Sequence, residues 1–124
     1  MKSIAYDTSE IGLQAVLKNW EIEALRTLWR DSKGLNSRLV WIETNRALKT
    51  GTISRASIIN FLEDLRKMGV LSGIEETGKG GYHWVYRPAL NEAEFKSFIA
   101  EKLISNIKKS FPEETKIVLK SLGL

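Results

Sequence analysis

Cysteine is absent from the 124 residues. Disulfides, thiolate metal sites and cysteine nucleophiles are therefore excluded. Histidine occurs once, as His83. A zinc or catalytic centre would rest on that ring and carboxylates alone, a poor start for hydrolytic chemistry. Proline occurs twice, as Pro88 and Pro112, and each reads as an element boundary. No apolar run approaches the ~18 residues needed to span a bilayer. Residues 1–9 lack the basic-then-apolar order of a secretory signal. The expectation is a cytoplasmic protein with no membrane partner, no metal, no cofactor and no catalytic residue.

A large excess of one charge sign is also lacking. The chain has 19 basic and 15 acidic residues, a net charge of +4. That sign suits a polyanion, but no segment is strongly basic, so any case for nucleic acid must come from arrangement. The acidic pairs Glu63/Asp64, Glu75/Glu76 and Glu113/Glu114 are sequence neighbours. Acid–base catalysis needs carboxylates held apart in distinct environments, so these read as solvated surface. Residues 73–79 match the first seven places of a phosphate-binding loop, but Gly80 stands where a Ser or Thr must hold magnesium. A strand is also expected where a helix must cradle the phosphates, so nucleotide binding is set aside.

What the chain does have is ordered punctuation. A first helix is expected from Asn19 to about Ser32, with Ile22, Leu25, Leu28 and Trp29 at helical spacing and Gly34 as its stop. Upstream, Ile11 to Leu17 reads as a turn or short helix. A second helix is expected from Ser37 to about Lys49, with Asn36 as N-cap, Gly51 as stop, and Val40, Thr44, Ala47 and Leu48 as its core stripe. Ser54 caps a third helix that Gly69 closes after Met68. There Ile58, Phe61, Leu62 and Leu65 share one face, while Ala56, Ile59, Asn60, Glu63 and Lys67 lie opposite. Two strands follow, Val70 to Glu76 and Tyr82 to Arg87, around a tip at residues 77–81. Tyr82, Trp84 and Tyr86 fall on one side of the second strand; His83, Val85 and Arg87 fall on the other.

Asn91 with Glu94 opens a long helix to about Ser110, and Pro112 starts a last one to about Leu122. The long helix is apolar on more than one side, since Ile104 sits opposite Phe95. Such a helix must be buried on more than one side. Trp29 reads as core and Trp41 as a cover for the domain's edge, with Trp20 and Trp84 open between packing and a small-molecule site. His83 reads as an ordinary strand residue.

Helix, helix, tight turn, helix and β-hairpin is the order of a winged helix-turn-helix. The fold class expected is mainly α with a small β-wing, followed by C-terminal dimerisation helices. Residues 1–90 would form a DNA-binding domain and residues 91–124 a helical dimerisation segment. The third helix has the required two faces, one apolar for anchorage and one small and polar for base edges. Arg55 would reach a phosphate or guanine, and Asn60 suits adenine. Ser54 and Ser57 would bond phosphates. Ala56 and Ile59 complete the exposed face, and Lys79 offers a cation on the glycine-rich hairpin tip. Glu63 lies on the same face, where phosphate repels it unless it accepts from cytosine.

Glu21-Ile22-Glu23-Ala24-Leu25 with Leu28-Trp29 resembles the first-helix signature of the penicillinase-repressor family of winged-helix transcriptional regulators. Residues 54–62 with Leu65 and Gly69-Val70-Leu71 are similar to that family's recognition helix and entry to the wing. Residues 77–82 and 86–88 resemble its wing. The resemblance covers about residues 17 to 111. It implies a homodimeric repressor on a palindromic operator in double-stranded DNA, with Arg55, Ser57, Asn60 and Lys79 on DNA. It implies dimerisation through residues 95–122, where Phe98, Leu103, Ile104, Ile107 and Phe111 are the candidates. Release would then require an effector or a protease. Relatives that sense copper do so through a cysteine-rich tail, a route closed here. The alternative is a winged-helix module for protein–protein contact in a transcription or replication complex.

Overall fold

The computed structural model describes residues 3–31, 33–78 and 81–124, with Gly81 and Tyr82 by backbone alone. Two compact units divide the chain, Met1–Asn91 and Glu92–Leu124. Both are mainly helical, and the first carries a small antiparallel sheet.

In the first unit a short 3-10 turn at Gly12–Ala15 precedes α1 (Asn19–Arg30), β1 (Leu35–Asn36), α2 (Ser37–Ala47), α3 (Arg55–Lys67), β2 (Leu71–Gly78) and β3 (Gly81–Pro88). The helix starts follow from local chemistry. At α1 the Glu21 carboxylate accepts from the backbone N–H of Lys18 at 2.8 Å. A lysine side chain has no acceptor, so only the returning half of a capping box forms. Asn36 Oδ1 accepts from Leu39 N at 2.9 Å and caps α2. Ser54 Oγ accepts from Ser57 N at 3.1 Å and caps α3.

The three helices bury one shared face. Ala24, Leu25, Leu28, Val40, Ile58 and Leu62 are wholly inaccessible. Each large aliphatic among them is stabilised by roughly 1.5–3 kcal/mol relative to exposure. Ala47 is exposed, against the expected stripe, because α2 ends there and the chain turns away. Trp29 is half-buried, and its indole N–H donates to the Leu90 carbonyl at 3.0 Å. Ala89 and Leu90 donate their N–H groups to Val70 O, closing the base of the hairpin.

The sheet has the order β1-β3-β2, all antiparallel. β1 is only two residues long, pairing Leu35 with Tyr86 and Asn36 with Val85. The β2–β3 ladder runs from Leu71↔Pro88 to Gly78↔Gly81. It therefore reaches further than the sequence pattern suggests, because Thr77, Gly78 and Gly81 pair instead of forming an open tip. Gly34 is required twice over. Its φ is +96°, and a Cβ there would lie 2.8 Å from both Arg87 Cγ and Val85 Cγ1.

The second unit holds α4 (Glu92–Ser110) and α5 (Pro112–Ser121). Pro112 occupies the first turn of α5, where its missing N–H costs nothing. Thr115 Oγ1 donates to Ile107 O at 3.3 Å across the α4–α5 corner. Among the described residues, no helix is long and apolar enough to cross a membrane.

Candidate nucleic-acid interface

The exposed side of α3 is built from its start. Residues 48–54 link α2 to α3, and Asn45 holds that link. Its Oδ1 accepts from Ile53 N at 2.8 Å, and its Nδ2 donates to Ile53 O and Trp41 O, both at 3.1 Å. The Trp41 indole N–H also donates to Ile53 O, at 2.9 Å. Ile53 directly precedes the Ser54 cap, so this clamp sets where α3 begins.

From that start, α3 turns Ile58, Phe61, Leu62 and Leu65 inward. The Trp20 ring meets Phe61 edge-on at 5.3 Å, which gives Trp20 a packing role. Outward it presents Arg55, Ala56, Ile59 and Asn60, all exposed. No ion pair or hydrogen bond engages the side chains of Arg55 or Asn60 among the described residues. Both keep their donors for a ligand. Ser54 and Ser57 lie 2.9 Å apart, oxygen to oxygen. One hydroxyl proton is shared between them, and the other remains for an acceptor such as phosphate. The first-turn N–H groups add a positive dipole end. Six of the seven residues read as DNA contacts from sequence therefore cluster at one end of α3. The seventh, Lys79, lies outside the described residues.

Glu63 departs from the sequence reading. It does not present a bare carboxylate to the exposed face. Arg66 grips it through Nε and Nη2 at 3.0 and 3.1 Å, and the Tyr86 hydroxyl donates to it at 2.8 Å. The Arg66 bonds hold the Glu63 carboxyl below its ordinary range, against the opposing pull of partial burial. Burial first, and then the bond to Glu63, push the Tyr86 phenol well above its ordinary value. Glu63 is thus committed to the hairpin and its charge is offset. The Arg66 guanidinium also lies 4.8 Å over the Trp84 ring, which gives Trp84 its place. His83 sits across from Glu76 at 3.9 Å, with both side chains substantially exposed.

Three of the five dimerisation candidates come together in the second unit. Ile104, Ile107 and Phe111 line an apolar groove of about 420 Å³ with Thr115, Val118 and Leu119. Ile104 and Ile107 are 48% exposed and Phe111 60% exposed, so the groove is open in a single chain. Phe98 lies on a different strip beside Lys102, whose ammonium is 5.6 Å from its ring. Leu103 is half-buried outside the groove. Among the described residues, no group of three or more His, Asp or Glu side chains is placed to hold a metal ion.

Asn45 and Arg66 are structural determinants of this surface that the sequence does not mark. A mid-helix Asn and an i,i+3 Glu–Arg pair both look like ordinary surface. The one available signal was Tyr86 at a register position facing α3. Compared with known proteins, the chain matches no family model and no curated protein sequence.

Proposed function

We propose that this chain is a winged-helix transcriptional regulator that binds double-stranded DNA as a homodimer, with α3 as the recognition helix and the β2–β3 hairpin as the wing. The observation that carries the reading is the outer face at the start of α3. Among the described residues Arg55 and Asn60 stand exposed with uncommitted donors, with Ile59 and the small Ala56 between them, on a helix whose other face is fully buried. That division suits entry into a major groove, where a small side chain allows close approach and polar ones read base edges. Ser54 and Ser57 would contact phosphates. Residues 1–90 would carry DNA binding and residues 91–124 dimerisation.

The open apolar groove at Ile104, Ile107 and Phe111 supports pairing, because exposed aliphatic surface of this kind is stabilised by a covering partner. In a two-fold dimer the recognition helices would enter successive major grooves about 34 Å apart, so the operator would be an inverted repeat. Repression by promoter occupancy, with release by an effector or a protease, follows from the penicillinase-repressor resemblance alone.

Salt separates this reading from a protein-contact module. Duplex affinity should fall steeply between low and moderate salt, since each neutralised phosphate releases counterions. Asn60→Ala should cost about 1–3 kcal/mol at one base pair per half-site, while Lys79→Ala should weaken all duplexes alike. A salt-independent interaction, or equal effects of both substitutions on every duplex, would contradict the assigned roles.

A further inference from the structure

We propose that Glu63, Arg66, Tyr86 and Trp84 form a strut that holds the β2–β3 hairpin against α3, so that the two present one rigid surface to DNA. Glu63 is then a positioning residue and not a base reader. The inference rests on the duplex-binding reading above and deepens it.

The hairpin needs such a tie. Its base is anchored by Val70 and Leu71, both buried. Outward of Gly73 every described β2 side chain, from Ile74 to Thr77, is exposed. Nothing in that stretch is held by a core. The strut acts at this boundary. Tyr86 is 2% exposed, so its hydroxyl has little access to water and takes the Glu63 carboxylate at 2.8 Å. That bond joins residues 23 apart in sequence, on α3 and on β3. Arg66 closes the unit from the other side. Its fork holds both carboxylate oxygens, and its guanidinium carbon lies 4.8 Å over the Trp84 ring.

Gly73 is the space that allows it. A Cβ there would lie 2.7 Å from Arg66 Cδ and 2.9 Å from the Trp84 ring. The glycine therefore lets the Arg66 stem and the Trp84 indole settle over β2. The same arrangement keeps a carboxylate on α3 from opposing the phosphates, because Arg66 neutralises it in place.

The test compares wild type, Tyr86→Phe and Glu63→Gln as full chains. The first readout is NMR backbone order parameters without DNA. In Tyr86→Phe those of residues 74–78 should fall from the wild-type values toward the ~0.6 of flexible backbone, with residues 19–30 unchanged. Glu63→Gln keeps an acceptor for Tyr86 but loses the Arg66 ion pair, so it should fall between wild type and Tyr86→Phe. The second readout is duplex affinity, expected to drop about three- to tenfold in Tyr86→Phe because the hairpin must be ordered on binding. Unchanged hairpin order parameters would overturn the strut. A loosened hairpin with unchanged affinity would overturn its role in DNA binding. Wild-type protein that binds no duplex would instead remove the DNA reading, and the order parameters would then judge the tie between hairpin and helix separately.

Discussion

Asn45→Ala is the most informative single change in the first unit. The side chain makes three hydrogen bonds, of which one has no substitute. Ile53 O loses the Asn45 donor but keeps the Trp41 indole at 2.9 Å. Trp41 O remains within α2 and keeps its place in the helix ladder. Ile53 N–H, by contrast, loses the acceptor it holds at 2.8 Å. Leaving such a group unpaired costs about 1–3 kcal/mol when it is buried, and Ile53 is only half-buried, which favours the lower part of that range. A loss of about 1–2 kcal/mol is expected. For a domain of this size each kcal/mol shifts Tm by about 4–8 °C, so a drop of about 5–15 °C should appear in a thermal melt. Urea titration at constant slope would show that stability changed and not the unfolded state. The start of α3 is released by the same change, so under the proposed DNA-binding role duplex affinity should fall even at temperatures well below the new Tm. Stability within about 0.5 kcal/mol of wild type, the usual effect of a surface substitution, would refute the clamp.

Other outcomes follow from the same geometry. Thr44 is fully buried and, among the described residues, its hydroxyl has no hydrogen-bond partner. Thr44→Val should therefore stabilise by about 1 kcal/mol, read by urea denaturation, because it removes an unpaired polar group at nearly constant shape. Glu63 has a folded-state pKa below its unfolded value, so its contribution is full above the ordinary carboxylate range and is lost as pH falls through the lowered value. The stability gap between wild type and Glu63→Gln should thus be constant near neutrality and narrow in acid. A gap that widens in acid would reverse the assignment. In the proposed homodimer, Ile107→Glu places a charge in the apolar groove and should yield monomers by light scattering where wild type pairs; a persisting dimer would put the interface elsewhere.

Much of the first unit was legible because its signals are local. Asn36 and Ser54 cap the helices that their sequence context indicates, and a cap needs only a side chain and an N–H three residues on. The apolar stripe of α3 reads directly as the buried face. What escaped is what depends on distant partners. Glu63 looked like a liability on an exposed face, since its bond to Tyr86 requires the hairpin to fold back onto α3. Asn45 looked like surface because its partner is backbone, which carries no residue-type signal. Trp20 and Trp84 were undecidable for the same reason, each being placed by one side chain from another element. β1 was too short for a pattern of period two to show. In the second unit the two-sided apolar character of α4 was visible, but which residues form the groove depends on where α5 turns at Pro112.

The most direct test of the central claim is selection of random DNA duplexes on the purified, folded protein at moderate salt, followed by sequencing. The expected result is enrichment of an inverted repeat whose half-site centres lie about one helical turn apart, with a base pair in each half-site whose preference Asn60→Ala relaxes. Recovery of no sequence above background from folded protein would contradict DNA recognition by α3.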